Sequence, residues 1–191
     1  MLAAFKTFCF VFALIGFFLA TEKYNFEWPT LIYVILCMIF ARSAAMAFNR
    51  YIDRDIDAKN LRTKDVREIP NGSITAKKVL IFSILNSLFF IITTYFINTL
   101  CFTLSPLALL IILGYSYTKR FTPFCHLILG LGLSLAPIGA YLAVSGRFDF
   151  IPLLLSISVL FWVSGFDIIY SLQDEEFDKE QKLHSIPVLM G

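Results

Sequence analysis

Six apolar runs separated by short polar breaks set the pattern of the chain: 8–20, 28–48, 79–97, 101–117, 124–144 and 150–172. All but the first come close to the ~20 residues that a helix needs to cross the hydrocarbon of a bilayer. The pattern predicts an all-α, polytopic bundle of about six transmembrane helices. The short first run also fits the apolar part of a signal peptide. It leads through Thr21-Glu22-Lys23-Tyr24 straight into further membrane runs, however, and this favours a first span. Arg42 interrupts the second run and is expensive there unless it meets an anion. The one long polar segment, 50–78, carries Arg50, Arg54, Lys59, Arg62, Lys64, Arg67, Lys77 and Lys78. Pro70-Asn71-Gly72-Ser73 reads as its turn, with Ser73 or Thr75 as the N-cap of the helix that follows.

Charge orients this bundle. Lys119 and Arg120 follow the fourth run, Lys179 and Lys182 follow the sixth, and Lys6 precedes the first; the other side offers only Lys23 and Arg147. The positive-inside rule then places the N-terminus and all three basic loops in the cytoplasm. At 58% apolar and 16% charged, with mean hydropathy +0.76, the chain reads as an integral membrane protein with lipid as its surroundings. The 21 phenylalanines read mainly as lipid-facing, and a net charge of +2 implies no attraction to nucleic acid. Cys9, Cys37, Cys101 and Cys125 stand singly in apolar runs, and His126 and His184 are far apart. Neither a thiolate metal site nor a disulfide framework is predicted; these are buried thiols.

Two acidic clusters carry the candidate chemistry. Asn49, Asp53 and Asp57 recur every four residues at the foot of the second run. In a helix each such step advances about 40° past a full turn, so the three form one narrow stripe. Stacked like charges destabilise a helix, and an ionisable group at a membrane helix end costs about 2–3 kcal/mol or more, so a cation is expected with them. Asp167, Asp174 and Asp178, at spacings of seven and four, share one face if the sixth helix continues through them. Asp167 lies inside the membrane and needs a partner. Glu175, Glu176 and Glu180 read as a solvated helix end. The topology puts both clusters on one side of the membrane.

Carboxylates with an amide are hard oxygen ligands that suit Mg²⁺, which shares its coordination between a few carboxylates, phosphate and water. Arg62, Arg67, Lys119 and Arg120 are candidates for gripping phosphate oxygens. An acidic, metal, phosphate and basic stack at the mouth of an apolar bundle implies an amphipathic substrate. Its diphosphate would stay at the cytoplasmic edge while its hydrocarbon tail lies among the helices.

The same residues carry a family resemblance. Asn49-x-x-x-Asp53-x-x-x-Asp57, followed by Lys59-Asn60-x-Arg62-Thr63 and Arg67-Glu68-Ile69-Pro70-Asn71-Gly72, resembles the first signature of the UbiA superfamily of intramembrane prenyltransferases. Tyr115-Ser116-Tyr117-Thr118-Lys119-Arg120-Phe121-Thr122 is similar to its basic segment. Asp167-x-x-Tyr170-x-x-x-Asp174-x-x-x-Asp178, then His184-Ser185-Ile186-Pro187, is similar to its second signature. The lead-in 41–49 resembles the bacterial 4-hydroxybenzoate polyprenyltransferase branch most. The resemblance implies Mg²⁺-dependent transfer of a polyprenyl group from its diphosphate to an aromatic acceptor in ubiquinone or menaquinone biosynthesis, at the cytoplasmic side of the bacterial inner membrane. It implies that Asn49, Asp53, Asp57, Asp174 and Asp178 bind Mg²⁺–diphosphate, and that Arg62, Lys119, Arg67 and Arg120 contact phosphate. Tyr115 or Tyr170 would shield the prenyl cation, Arg42 would meet an acceptor carboxylate, and Asp167 belongs with the substrate-binding set.

Two departures stand out. Arg50 follows Asn49 where many members carry Asp, although Asp55 is nearby. The family fold is a bundle of nine helices, whereas about six are expected in 1–191. The chain is therefore expected to be a single domain of that fold lacking its C-terminal helices: a fragment, one half of a split gene whose other part is separately encoded, or a truncated and inactive copy. A cation-coupled transporter stays open as the rival from another class, since intramembrane carboxylates also bind transported ions.

Overall fold

The computed structural model describes residues 2–190, with side chains from Phe10 onward, and shows helices and no strand among them. Lys6 and Cys9 fall outside the described side chains. Six long helices form the bundle: α1 (Leu2–Thr21), α2 (Trp28–Ile52), α4 (Ala76–Ile97), α5 (Thr99–Thr118), α6 (Cys125–Ser145) and α7 (Phe150–Ser171). Of these, α2 and α4–α7 are long and apolar enough to cross a membrane, and α1 contributes a shorter described apolar stretch, Phe10–Thr21. Short helices α3 (Arg54–Lys59), α8 (Glu175–Glu180) and α9 (Ile186–Met190) follow α2 and α7, with a 3₁₀ turn at Leu172–Asp174.

Local chemistry explains the helix ends. Pro29 sits in the first turn of α2, where its missing N–H costs nothing. Asn98 alone separates α4 from α5. Its side-chain oxygen accepts from the Cys101 N–H at 2.8 Å, while its amide donates to the Leu142 carbonyl of α6 at 2.9 Å. One side chain thus caps a helix and pins a turn at membrane depth. Gly146, at φ +65°, ends α6 in the left-handed region that favours glycine. Thr75 occupies the N-cap position of α4 with extended backbone, but its hydroxyl makes no capping bond.

Helix α2 packs on α4, α6 on α7, and α1 on α6. Ala13, Phe17, Val34, Ala140 and Ala143 form the buried cluster where α1, α2 and α6 meet. The close approach of α6 to α7 requires glycine, because a Cβ on Gly130 would overlap Ser164 Oγ and the Leu160 carbonyl. Elsewhere large apolar side chains face outward, among them Phe82, Phe89, Leu110 and Phe161. Cys37 and Cys125 are buried and Cys101 half-buried, all three as free thiols.

Both acidic stripes are broken where continuous helix was expected. Helix α2 stops at Ile52, and Asp53 is the hinge into α3, with φ −88° and ψ 5°. Helix α7 stops at Ser171, and the 3₁₀ turn delivers Asp174 before α8 begins. Like charges along one helix repel; breaking the helix lets each carboxylate find its own partner.

Candidate functional site

Between the helices lies a cavity of about 610 Å³ with nearly all-apolar walls. Its lining runs from aliphatic positions such as Val34, Ile112 and Leu133 to Arg42, Tyr115, Asp167 and Tyr170. Arg62, from the loop between α2 and α4, joins Tyr170 of this lining to Asp174 of the second acidic cluster.

At the first cluster, the Asn49 amide donates to Asp53 Oδ2 at 2.8 Å across the end of α2. Burial, and then the neighbouring Asp57 carboxylate, push the Asp53 carboxyl up to about 6, against the opposing pull of Lys119, Asn49 and Arg120. Asp57 is also raised, chiefly by burial and against the Thr63 hydroxyl and Arg50. Its nearest cation is Arg67, 3.7 Å away. The second cluster is paired more tightly. Arg62 forms an ion pair with Asp174 through two guanidinium nitrogens, and its Nη1 also donates to the Tyr170 hydroxyl at 3.0 Å. Asn60 donates to the same carboxylate at 3.3 Å. Lys119 Nζ lies 2.8 Å from Asp178 Oδ1. Asp178 is fully buried, and apart from that ammonium neither of its oxygens has a hydrogen-bond partner.

The loop that carries Arg62 and Arg67 is folded on its own backbone. The Asn60 side chain accepts from the Arg62 N–H at 2.9 Å, and the Thr63 hydroxyl donates to the Asp57 carbonyl at 3.0 Å. The segment after α8 is stitched to the α5–α6 connection: the His184 N–H donates to the Lys119 carbonyl at 2.8 Å.

The structure therefore joins Asn49, Asp53, Asp57, Asp174 and Asp178 with Arg62, Arg67 and Lys119. One sequence expectation changes and two gain detail. Asp167 does not share a face with Asp174 and Asp178; its Oδ2 lies 2.7 Å from His126 Nδ1. The intramembrane carboxylate has the partner that its position demanded, but that partner is a histidine whose sequence setting looked inert. Arg120 donates to the Ile52 carbonyl at 2.6 Å, which caps the broken end of α2. And among the described residues no three carboxylate, histidine or cysteine side chains converge to cage a metal by themselves. The residues form acid–base pairs with one another. Helical spacing does not reveal His126, because this pair crosses from α6 to α7. The signal was Asp167 itself.

Chemically this is a polytopic membrane protein with an apolar cavity whose lining Tyr170 touches a set of hard-oxygen donors and cations. The UbiA prenyltransferase family is matched over residues 9–191, and the chain belongs to it. A 4-hydroxybenzoate octaprenyltransferase of Aliivibrio salmonicida is 33% identical over 166 residues, covering 86% of this chain and 58% of the relative. Its counterpart in Aliivibrio fischeri is 30% identical over 165 residues, covering 86% and 57%. The chain thus spans less than two thirds of the length of the curated relatives it matches. An apo UbiA homologue from Aeropyrum pernix superposes with a TM-score of 0.90 at 33% identity, over 98% of this chain and 70% of that one. A UbiA homologue from Archaeoglobus fulgidus bound to GPP and Mg²⁺ shares the fold, with a TM-score of 0.78 at 22% identity over 98% and 66%.

Proposed function

We propose that this chain transfers a polyprenyl group from a polyprenyl diphosphate to an aromatic acceptor, 4-hydroxybenzoate or a related quinone precursor, at the cytoplasmic face of a bacterial inner membrane. The observation that carries the reading is the apolar cavity whose lining Tyr170 is bonded by Arg62, the same guanidinium that pairs with Asp174 of the second acidic cluster. A hydrocarbon tail is favoured inside the cavity and a charged headgroup beside these charges. The names of the curated relatives and the GPP and Mg²⁺ of the Archaeoglobus homologue support the same chemistry.

The donor set fits Mg²⁺. Asn49, Asp53, Asp57, Asp174 and Asp178 offer only hard oxygens, and Asp178 is a buried carboxylate short of partners. With no preformed cage, the diphosphate itself would complete the coordination. When bound, Mg²⁺ supplies Lewis-acid stabilisation of the charge on the leaving diphosphate. Arg62 and Lys119 exchange their carboxylates for phosphate oxygens as the diphosphate arrives, with Arg67 and Arg120 adding positive potential. The C1–O bond of the prenyl diphosphate breaks with its electron pair passing to the diphosphate. A π pair of the acceptor ring forms the new carbon–carbon bond, and the proton on that ring carbon leaves. Tyr115 or Tyr170 shields the allylic cation. Arg42 receives the acceptor's carboxylate, and Asp167 accepts a hydrogen bond from its phenol.

The test is prenyl transfer in vesicles containing this chain, with a polyprenyl diphosphate, a panel of aromatic acids, and Mg²⁺ or EDTA. A parallel arm supplies, as a separate polypeptide, the portion of a full-length relative that the match leaves uncovered. Product that requires Mg²⁺ and vanishes in Asp53→Asn is the expected result. No product in either arm overturns the reading.

A further inference from the structure

We propose that His126 is the positioning residue for the acceptor: it holds Asp167 as a carboxylate at the cavity wall. The inference rests on the transferase reading for what the acceptor is, but not for the pair itself. Asp167 stands in α7 with its side chain 28% exposed and lining the cavity, whereas the imidazole behind it is 4% exposed. A carboxylate at this depth would neutralise by taking up a proton unless a donor holds the charged form.

The imidazole is arranged to be that donor. The Ile186 N–H points at His126 Nε2 across 3.4 Å, so Nε2 is the accepting nitrogen. A ring with Nε2 accepting carries its hydrogen on Nδ1, and Nδ1 faces Asp167 Oδ2 at 2.7 Å. The two contacts fix one tautomer, and that tautomer donates to the carboxylate.

His126 is itself held from behind. Cys125 Sγ donates to the His184 carbonyl at 3.6 Å, the His184 N–H binds the Lys119 carbonyl, and Ser185 is 1% exposed. The segment 184–187 therefore reaches both Lys119, which pairs with Asp178, and the imidazole that orients Asp167. A ring locked on both nitrogens gives Asp167 a defined direction, which a lone intramembrane carboxylate on a helix would lack. The acceptor class follows: an aromatic ring bearing an O–H or N–H that can donate to a fixed anion.

The experiment compares wild type, His126→Leu, His126→Gln and Asp167→Asn in vesicles, in two arms. In the transfer arm, His126→Leu is expected to lower kcat/KM for the aromatic acceptor about 10–100-fold, the scale seen when the hydrogen-bonded partner behind a metal ligand is removed. The KM for the prenyl diphosphate stays unchanged. His126→Gln, whose amide still donates, retains more activity than His126→Leu, and His126→Leu adds nothing on top of Asp167→Asn. In the labelling arm, dicyclohexylcarbodiimide, which adds to protonated carboxyls in apolar surroundings, is read by mass spectrometry at Asp167. The adduct is expected to rise from wild type to His126→Leu. Equal labelling in the two overturns the proposal. So does an equal loss for both substrates with a lowered melting temperature, which would make His126 a packing residue. If wild type forms no product even with the separate polypeptide of the parallel arm supplied, the transferase reading fails and the labelling arm still decides the pair.

Discussion

At the foot of α2, Asp53 is met by an amide, Asn49, and by a second carboxylate, while its strongest cation neighbours stay at a distance. At the foot of α7, Asp174 and Asp178 each hold a full positive charge, from Arg62 and Lys119. The same residue type in two similar settings thus meets two kinds of partner. Burial pushes the carboxyls of Asp53, Asp57 and Asp178 up alike, but at Asp178 the Lys119 ammonium opposes that push from 2.8 Å, whereas Asp53 has an amide as its contact. For an incoming diphosphate with its metal the two clusters offer different things. The first has coordination oxygens that must lose a proton, and the second has cations ready to turn from carboxylate to phosphate.

Exchanging one carboxylate in each cluster for its amide sharpens this contrast most. Asp178→Asn leaves the Lys119 ammonium beside a fully buried neutral amide; because that ammonium is 34% exposed, the loss should stay below the ~3 kcal/mol of a fully buried broken pair. Thermal or denaturant unfolding in detergent should show that loss. Asp53→Asn removes a carboxyl whose charged form burial disfavours, so the same measurement at neutral pH without Mg²⁺ should show no loss of stability. Equal losses for the two variants would break the comparison.

The pH dependence comes next in size. The Asp53 carboxyl sits at about 6 in the folded chain against 3.8 ordinarily. Between those values the unfolded chain has released a proton that the folded chain still holds. Its contribution to stability is therefore full below pH 4 and lost as pH rises to about 6. Mg²⁺ binds the ionised form, so stabilisation by Mg²⁺ should grow over the same rise through pH 6. Melting temperatures with and without Mg²⁺ across pH 4–7 should diverge upward in wild type. In Asp53→Asn this pH dependence should flatten.

The smallest effect is expected at Arg120. Its guanidinium caps the Ile52 carbonyl where α2 breaks, so Arg120→Ala should cost about 1–2 kcal/mol of stability. It should change Mg²⁺ binding less than Asp53→Asn does. A larger loss of Mg²⁺ binding than of stability would make Arg120 part of the headgroup site in its own right.

Much of this was legible in the linear chain. Helices end where apolar runs end, because unpaired backbone cannot lie in lipid, so runs of about 20 residues predicted the bundle and placed both acidic clusters at span ends. The spacing of Asn49, Asp53 and Asp57 and the signatures around Asp174 and Asp178 picked out the carboxylates, since these residue types are too costly at a membrane edge without a purpose. What one dimension could not hold was pairing. Arg62 meets Asp174 across 112 residues, Lys119 meets Asp178 across 59, and His126 meets Asp167 across 41. Helical spacing lines residues up along one element, and it predicted continuous stripes where the chain bends at Asp53 and at Leu172–Asp174. Composition and periodicity determined which residues are at the membrane edge. Only the packing of α6 against α7, and of the 54–75 loop over both clusters, decided which charges touch, because ion pairing falls off within a few ångströms and sequence distance says nothing about that.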